Sequence, residues 1–142
     1  MTMILEKKLY TATATSTGGR DGHSRTDDGK VELEFTKPVE LGGSGKGTNP
    51  EQLFAMGYSA CYIGALKHVA ALEKVNIGND ISVTANVSLG TIGAGFGIAV
   101  HLVVDIKGVD EGTAMDLVEK AHKVCPYSNA TRGNVDVTTA LA

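Results

Sequence analysis

The stretch that decides the fold is "ISVTANVSLGTIGAGFGIAVHLVV", residues 81–104, which contains no Asp, Glu, Lys or Arg and is long enough to cross a bilayer. Its first part alternates polar and apolar residues, and four glycines interrupt its middle. Alternation is typical of a strand with one buried face, and clustered glycines indicate a turn. We therefore predict two adjacent antiparallel strands, over residues 81–89 and 96–106, and no membrane helix.

The segments on either side of these strands have helical signatures. Asn49-Pro50 combines a good N-cap residue with a proline at the first helical position, which predicts a long helix over residues 50–74. Apolar residues at helical spacing predict a second helix over residues 111–124, which Pro126 ends or restarts. Strand-forming residues at every second position over residues 135–141 predict a closing strand.

The first third of the chain is rich in strand-forming residues. We predict a strand within residues 4–17, a long exposed loop over "RDGHSRTDDG", residues 20–29, and a strand in "KVELEFT", residues 30–36. In that last strand Val31, Leu33 and Phe35 form the expected buried face. Strands, helix, strands, helix and strand in this order predict an α+β domain with antiparallel sheet.

Composition limits the classes of function. A chain of 142 residues is predicted to form one domain, residues 1–142, with a core that needs neither a disulfide framework nor a metal. The formal charge of −3 and the absence of a Lys/Arg run argue against a nucleic-acid partner. The apolar run at the N-terminus is too short for a signal peptide, so we expect a cytoplasmic protein. In a reducing compartment, pairing of the two cysteines would serve chemistry.

The cysteine in the predicted long helix lies on a stripe of small residues, which predicts that Cys61 lies on a packed face. The stripe consists of Gly57, Ala60, Cys61, Gly64 and Ala65. From position alone two interpretations stay open: a small core thiol, or a reactive cysteine. Cys125, in "VCPYSNATRGN" over residues 124–134, poses the same question.

A reactive cysteine must form a thiolate, and a buried thiol ionises only when positive charge stabilises it. Arg20 directly follows Gly18-Gly19 at a predicted strand end, where its guanidinium could turn inward. Such a cation would need a carboxylate partner, and Glu51 in the first helical turn is a candidate. The ordinary alternatives are a solvated loop charge for Arg20 and a helix-dipole interaction for Glu51.

Other site chemistries match the sequence less well. "GSGKGT" lacks the spacing of a phosphate-binding loop. The four possible zinc ligands have spacings that match no familiar zinc pattern: they are Cys61, His68, His122 and Cys125. We therefore predict no metal and no bound cofactor. A cysteine hydrolase would need a histidine beside Cys61, and the sequence singles out none.

Three stretches resemble one known family. "TATSTGGRDG" (residues 13–22), "GTNPEQLFAMGYSACYIGAL" (47–66) and "AHKVCPYSNATRGNVDV" (121–137) are similar to the organic hydroperoxide resistance proteins, one branch of the Ohr/OsmC family. The resemblance covers nearly the whole chain. It implies an OsmC-like fold, in which antiparallel sheets wrap around two main helices, and an interlaced homodimer with sites at the interface.

The resemblance also implies a function. By analogy the protein is a thiol peroxidase for organic hydroperoxides, with Cys61 as peroxidatic and Cys125 as resolving cysteine. Arg20 and Glu51 match the residues that activate the thiolate. The external reductant in the family is the dihydrolipoyl group of a lipoylated protein. A thiol-based redox sensor or binding protein on the same fold is the alternative, which the lack of a recognisable DNA-binding segment disfavours.

Helix geometry constrains the role of Glu51. On one straight helix, Glu51 and Cys61 lie about 15 Å apart along the axis and about 80° apart around it. Three arrangements could still bring them to one site: a helix break near Gly57, an Arg20 that spans the gap, or a Glu51 that serves the Cys61 of a second subunit. We favour the third.

Overall fold

A computed structural model describes residues 2–142 as a mixed α+β chain. The chain forms two compact units, of which the first ends at Pro50 and the second comprises Glu51–Ala142.

The first unit contains a small antiparallel sheet in the order β1-β2-β3, with β1 at Ala14–Thr17, β2 at His23–Thr26 and β3 at Glu32–Glu34. Two predictions are wrong in part. The strand predicted within residues 4–17 forms only at its end, and the loop predicted over residues 20–29 contains β2. Hydrophobic alternation cannot detect β2, because cross-strand contacts such as the 3.0 Å pair between His23 Nε2 and Glu32 Oε1 join polar side chains.

The apolar residues of the first unit are unevenly covered. Phe35 is buried, but Val31, predicted on the same face, is 46% exposed because β3 begins only after it. Large apolar side chains near the N-terminus are also exposed: they are Met3, Ile4, Leu5, Leu9 and Tyr10.

The second unit matches the predicted order of elements. Its helices are α1 (Pro50–Leu72), α2 (Glu111–Val124) and α3 (Pro126–Thr131). Its strands are β4 (Ile81–Ile92), β5 (Gly95–Ile106) and β6 (Asp136–Leu141). The charge-free stretch is thus a long antiparallel hairpin, as predicted, in which Ile81 pairs with Ile106 and Ile92 with Gly95. No helix among residues 2–142 is long and apolar enough to cross a membrane.

The closing strand corrects the predicted antiparallel sheet. β6 pairs with β5 in parallel, so the sheet β4-β5-β6 is mixed. The reason lies in the connection: α2 and α3 carry the chain from the end of β5 back to the start of β6, and parallel neighbours need such a crossover.

The core of the second unit lies between this sheet and the helices. α1 contributes large side chains such as Tyr58, Tyr62 and Leu66, and β5 contributes Val100, Leu102 and Val104. α2 adds Leu117, Val118 and Ala121, and Cys125 belongs to the same cluster. The core therefore fixes α1 and α2 against one face of the sheet, and with them the two cysteines.

Candidate active site

The structure brings the two cysteines together. The Sγ atoms of Cys61 and Cys125 lie 3.6 Å apart, and both are free thiols. Cys61, in the middle of α1, is partly exposed, whereas Cys125 is fully buried. The Cys61 side chain is therefore accessible to a small molecule in solution, whereas the Cys125 side chain is not.

A break between two helices places Cys125. Its backbone N–H donates to the Ala121 carbonyl of α2 at 2.8 Å, and its carbonyl accepts from the Asn129 N–H of α3 at 2.9 Å. Its ψ of 125° separates the two helices, and Pro126 begins α3 at a position where no N–H is needed. Of the two predicted effects of Pro126, the structure shows a restart.

The surroundings of Cys61 within the second unit oppose its ionisation. Burial is the main cause that raises the pKa of the Cys61 thiol, and the hydrogen bond and charge of Cys125 raise it further. The backbone N–H of Tyr127 acts in the opposite direction by donating toward the sulfur. These surroundings together favour the neutral thiol over the thiolate.

Two buried tyrosines on either side of Cys61 connect α1 to the helices that carry Cys125. The Tyr58 hydroxyl lies 2.7 Å from Ser128 Oγ and 3.2 Å from Thr131 Oγ1, both in α3. The Tyr62 hydroxyl donates to the Val118 carbonyl of α2 at 2.7 Å. These hydrogen bonds satisfy buried polar groups that would otherwise lack partners. They therefore favour a single arrangement of α1 against α2 and α3.

The small-residue stripe only partly behaves as predicted. Gly57 and Ala65 are covered, and a Cβ at Gly57 would lie 3.0 Å from the Tyr127 hydroxyl, so the glycine admits that ring. Ala60 and Gly64, by contrast, are exposed. The reason is that the large side chains of α1 form its core face and the small residues border that face.

An apolar pocket adjoins these residues. It has a volume of about 250 Å³ and is lined by Phe54, Ile98, Tyr127, Ala130, Thr131 and Val135. The ring of Tyr127 contacts Phe54 at a centroid distance of 5.7 Å. Tyr127 thus lines the pocket, and its backbone N–H donates toward the Cys61 sulfur.

Arg20 lies in the turn between β1 and β2, in a short 3-10 segment at Gly19–Asp21. Gly18 and Gly19 have φ angles of 73° and 62°, which glycine adopts without strain. A Cβ at Gly22 would lie 1.8 Å from the Thr17 carbonyl oxygen, so the turn also requires glycine there. Arg20 therefore occupies a tightly determined hairpin turn, and its role in thiolate activation stays a prediction.

Glu51 lies in the first turn of α1, as predicted. Because α1 continues unbroken from Pro50 to Leu72, the structure removes one of the three arrangements, a helix break near Gly57. Two arrangements remain predictions: Glu51 acts on Cys61 through an Arg20 that spans the gap, or Glu51 acts on the Cys61 of a second subunit.

The two histidines considered as zinc ligands lie in unlike surroundings. His68 is exposed on α1. The Nδ1 atom of His122 is buried and, among residues 2–142, has no hydrogen-bond partner. Burial, followed by the charge of Arg132, lowers the pKa of His122. Residues 2–142 contain no group of three or more His, Cys, Asp and Glu that could hold a metal ion.

Comparisons with known proteins identify the family. The model of the OsmC-like proteins matches residues 43–140. The organic hydroperoxide resistance protein of Xanthomonas axonopodis pv. citri is 54% identical over 138 residues, which cover 96% of this chain and 97% of that protein. The chain belongs to the organic hydroperoxide resistance branch of the OsmC-like family.

Further members support this assignment. Organic hydroperoxide resistance protein OhrB of Bacillus subtilis is 46% identical over 133 residues, covering 94% of this chain and 98% of that protein. The crystal structure of an organic hydroperoxide resistance protein from Legionella pneumophila superimposes with a TM-score of 0.91 at 50% identity, covering 96% of this chain and 99% of that one. The OsmC-like fold predicted from the resemblance is confirmed.

Sequence reasoning missed the residues that hold this OsmC-like site together. The hydroxyl bonds of Tyr58 and Tyr62 and the placement of the Tyr127 ring on Gly57 were not predicted. Two tyrosines spaced four residues apart around a helical cysteine were an available signal, since buried tyrosine hydroxyls find partners. Their partners, however, lie 56 to 73 positions away in the sequence.

Proposed function

We propose that the protein is a thiol peroxidase that reduces organic hydroperoxides to alcohols and thereby protects against organic peroxide stress. The observation that supports this most directly is the 3.6 Å separation between the partly exposed Cys61 sulfur and the buried Cys125 sulfur. Two relatives named organic hydroperoxide resistance proteins, from Xanthomonas and Bacillus, support the class of substrate.

The first step is oxidation of Cys61. Its thiolate attacks the terminal oxygen of the hydroperoxide, the O–O bond breaks, and two electrons pass from sulfur to oxygen. The alkoxide takes a proton and leaves as an alcohol, while Cys61 becomes a sulfenic acid.

The second step forms the disulfide. The Cys125 sulfur attacks the Cys61 sulfur, the S–O bond breaks, and the hydroxyl leaves as water. A disulfide is about 2.05 Å long, so the sulfurs approach by only about 1.5 Å from their present separation. The resolving thiol is therefore already near its reacting position.

The third step restores both thiols. An external thiolate attacks the Cys61 sulfur, because Cys125 is fully buried, and Cys125 leaves as a thiolate. The second thiol of the same reductant then attacks the mixed disulfide, which frees Cys61 and leaves the reductant as a cyclic disulfide. In our proposal the reductant is the dihydrolipoyl group of a lipoylated protein.

Activation of Cys61 is assigned to Arg20 and Glu51. Burial and Cys125 raise the pKa of the Cys61 thiol, and a guanidinium, which is charged at every physiological pH, would favour its thiolate. Glu51 would hold the guanidinium. Because Glu51 and Cys61 lie on one unbroken helix, we propose that Glu51 acts at the Cys61 of the second subunit of an interlaced homodimer.

The apolar pocket supports the preference for organic peroxides. Its lining is apolar except for Thr131, and it borders Tyr127, whose N–H points toward the Cys61 sulfur. An alkyl chain would bury apolar surface there, whereas hydrogen peroxide gains nothing from such a pocket.

A steady-state assay with dihydrolipoamide tests the proposal. We expect catalytic loss of alkyl and fatty-acid hydroperoxides and much slower loss of hydrogen peroxide. Oxidation of one equivalent per chain without turnover would indicate the alternative, a redox sensor.

Two substitutions test the roles of the cysteines. We expect Cys61→Ser to abolish even the first oxidation, and Cys125→Ser to allow one stoichiometric reaction that leaves a sulfenic acid, detected by a dimedone adduct at Cys61. Identical behaviour of the two variants would contradict the assignment.

A further inference from the structure

The hydroxyl cluster of Tyr58, Ser128 and Thr131 is a buried polar contact between α1 and α3. Tyr58 and Ser128 are fully buried and Thr131 nearly so. The Tyr58 hydroxyl lies within hydrogen-bond distance of both other hydroxyls, and Thr131 Oγ1 also donates to the Ser128 carbonyl at 3.2 Å. Nothing in the peroxide chemistry above uses these groups.

The same tyrosine contacts α3 a second time, through its ring. The Tyr58 and Tyr127 rings meet edge to face, with centroids 5.7 Å apart. Tyr127 in turn rests on Gly57, one residue before Tyr58 on α1. Tyr58 thus contacts α3 through its hydroxyl, at Ser128 and at the last residue Thr131, and through its ring, at Tyr127 in the first turn.

That first turn carries the second sulfur. Cys125 is the N-cap residue of α3, and it is joined to the helix by the bond from its carbonyl to the Asn129 N–H. α3 has only six residues, so it gains little stability from its own hydrogen bonds and depends on tertiary contacts for its position. A shift of α3 would move Cys125 directly.

We propose that Tyr58 is a positioning residue for the resolving step, which holds α3, and through it the Cys125 sulfur, within reach of Cys61. The inference rests on the proposed function, because it assigns Tyr58 to the step in which Cys125 displaces the hydroxyl of the Cys61 sulfenic acid. In competition with that step, a second hydroperoxide oxidises the sulfenic acid to a sulfinic acid and leaves as an alcohol. Correct placement of Cys125 decides which reaction wins.

Tyr62 is a matched control on the same helix. It is fully buried like Tyr58, and its hydroxyl donates a hydrogen bond of 2.7 Å, the same length as the Tyr58–Ser128 contact. Its acceptor, the Val118 carbonyl, lies two helical turns before Cys125 in α2 and keeps its own place in that helix. Loss of the Tyr62 hydroxyl therefore costs stability without releasing α3.

The experiment measures the fate of Cys61 by mass spectrometry after a pulse of alkyl hydroperoxide in several-fold excess. We expect Tyr58→Phe to raise the ratio of sulfinic acid to disulfide by about threefold to tenfold, the effect of one hydrogen bond. The rate of the first oxidation should stay unchanged. Tyr62→Phe should leave the ratio as in the wild type even where it lowers the unfolding midpoint equally.

A second variant keeps the test decisive if Tyr58→Phe folds poorly. Ser128→Ala removes the nearer partner of the same hydroxyl, so it should raise the ratio too, and the double variant should exceed neither single variant by much. An unchanged ratio in both single variants, or an equal rise in Tyr62→Phe, overturns the inference. A wild-type protein that forms no disulfide would instead overturn the proposed function.

Discussion

At the scale of single residues, the environment of Cys61 has two opposing parts. Proximity to Cys125 at 3.6 Å suits disulfide formation, but burial and the neighbouring sulfur raise the pKa of Cys61 and so disfavour the nucleophilic thiolate. The backbone N–H of Tyr127 offsets this only in part. The two sulfurs are therefore placed for reaction, and in our proposal the guanidinium of Arg20 stabilises the thiolate.

Substitution of Arg20 by Ala should expose this dependence on charge. We expect the second-order rate constant for alkyl hydroperoxide to fall at least about tenfold at neutral pH, one pKa unit being a tenfold change in thiolate. Removal of a nearby cation disfavours the thiolate, so we expect the pKa of Cys61 to be higher in the variant than in the wild type. The rate of the variant should therefore reach its plateau at a higher pH than the wild-type rate.

Arg25→Ala provides the control for this prediction. Arg25 is exposed on β2 and pairs with Glu32 at 3.5 Å, so its loss should change neither the rate nor its pH dependence. Ultraviolet thiolate absorbance reports the pKa of Cys61 in each variant. Equal pH profiles for wild type and Arg20→Ala would rule out Arg20 as the activating cation.

At the scale of elements, α1 has a different task on each side. Its large residues pack on the sheet, its tyrosine hydroxyls bind α2 and α3, and its small residues border the cysteine. Gly57 and Gly64 belong to the same helix but differ in surroundings, because Gly57 lies under Tyr127 and a Cβ at Gly64 would meet nothing within 4 Å in this chain.

Alanine substitutions should separate these two glycines. In a helix interior, alanine is more favourable than glycine by about 1 kcal/mol of helix propensity. We therefore expect Gly64→Ala to raise the free energy of unfolding by about that amount. Gly57→Ala should gain clearly less, since the new Cβ would lie 3.0 Å from the Tyr127 hydroxyl and displace that ring. Denaturant unfolding of the reduced protein measures both, and equal gains would show that Tyr127 does not constrain Gly57.

At the scale of the whole molecule, the homodimer is the expectation that would complete the site. The exposed apolar side chains from Met3 to Tyr10 are the kind of surface that a second copy of the chain could cover. Glu51 and Cys61 of one chain are held apart along the unbroken helix α1. If Glu51 acts across subunits, it can still share a site with the Cys61 of the second copy.

Subunit complementation tests the dimer and the role of Glu51 together. Glu51→Gln and Cys61→Ser variants should each be nearly inactive alone. In a mixed dimer one site would combine the intact Cys61 of the first variant with the intact Glu51 of the second, so mixing after mild unfolding and refolding should restore peroxidase activity. If sedimentation shows mixed dimers but no activity returns, Glu51 acts within its own subunit.

Elements set by interactions between residues close in the sequence could be predicted, and elements set by distant partners could not. The hairpin of β4 and β5, both long helices and the restart at Pro126 depend on local periodicity and backbone chemistry, so the sequence alone predicted them. The polar strand β2 and the parallel pairing of β6 were missed, because a cross-strand partner or a crossover sets them.

The site divides in the same way. The sequence by itself, through three motifs of one family, determined the candidate site residues: Cys61, Cys125, Arg20 and Glu51. Only the tertiary structure decided that the two sulfurs lie 3.6 Å apart, that one is buried, and that Tyr58 joins α1 to α3 beside them. The physical reason is that such contacts join residues 64 to 73 positions apart, and packing of the whole core, which no local pattern encodes, brings them together.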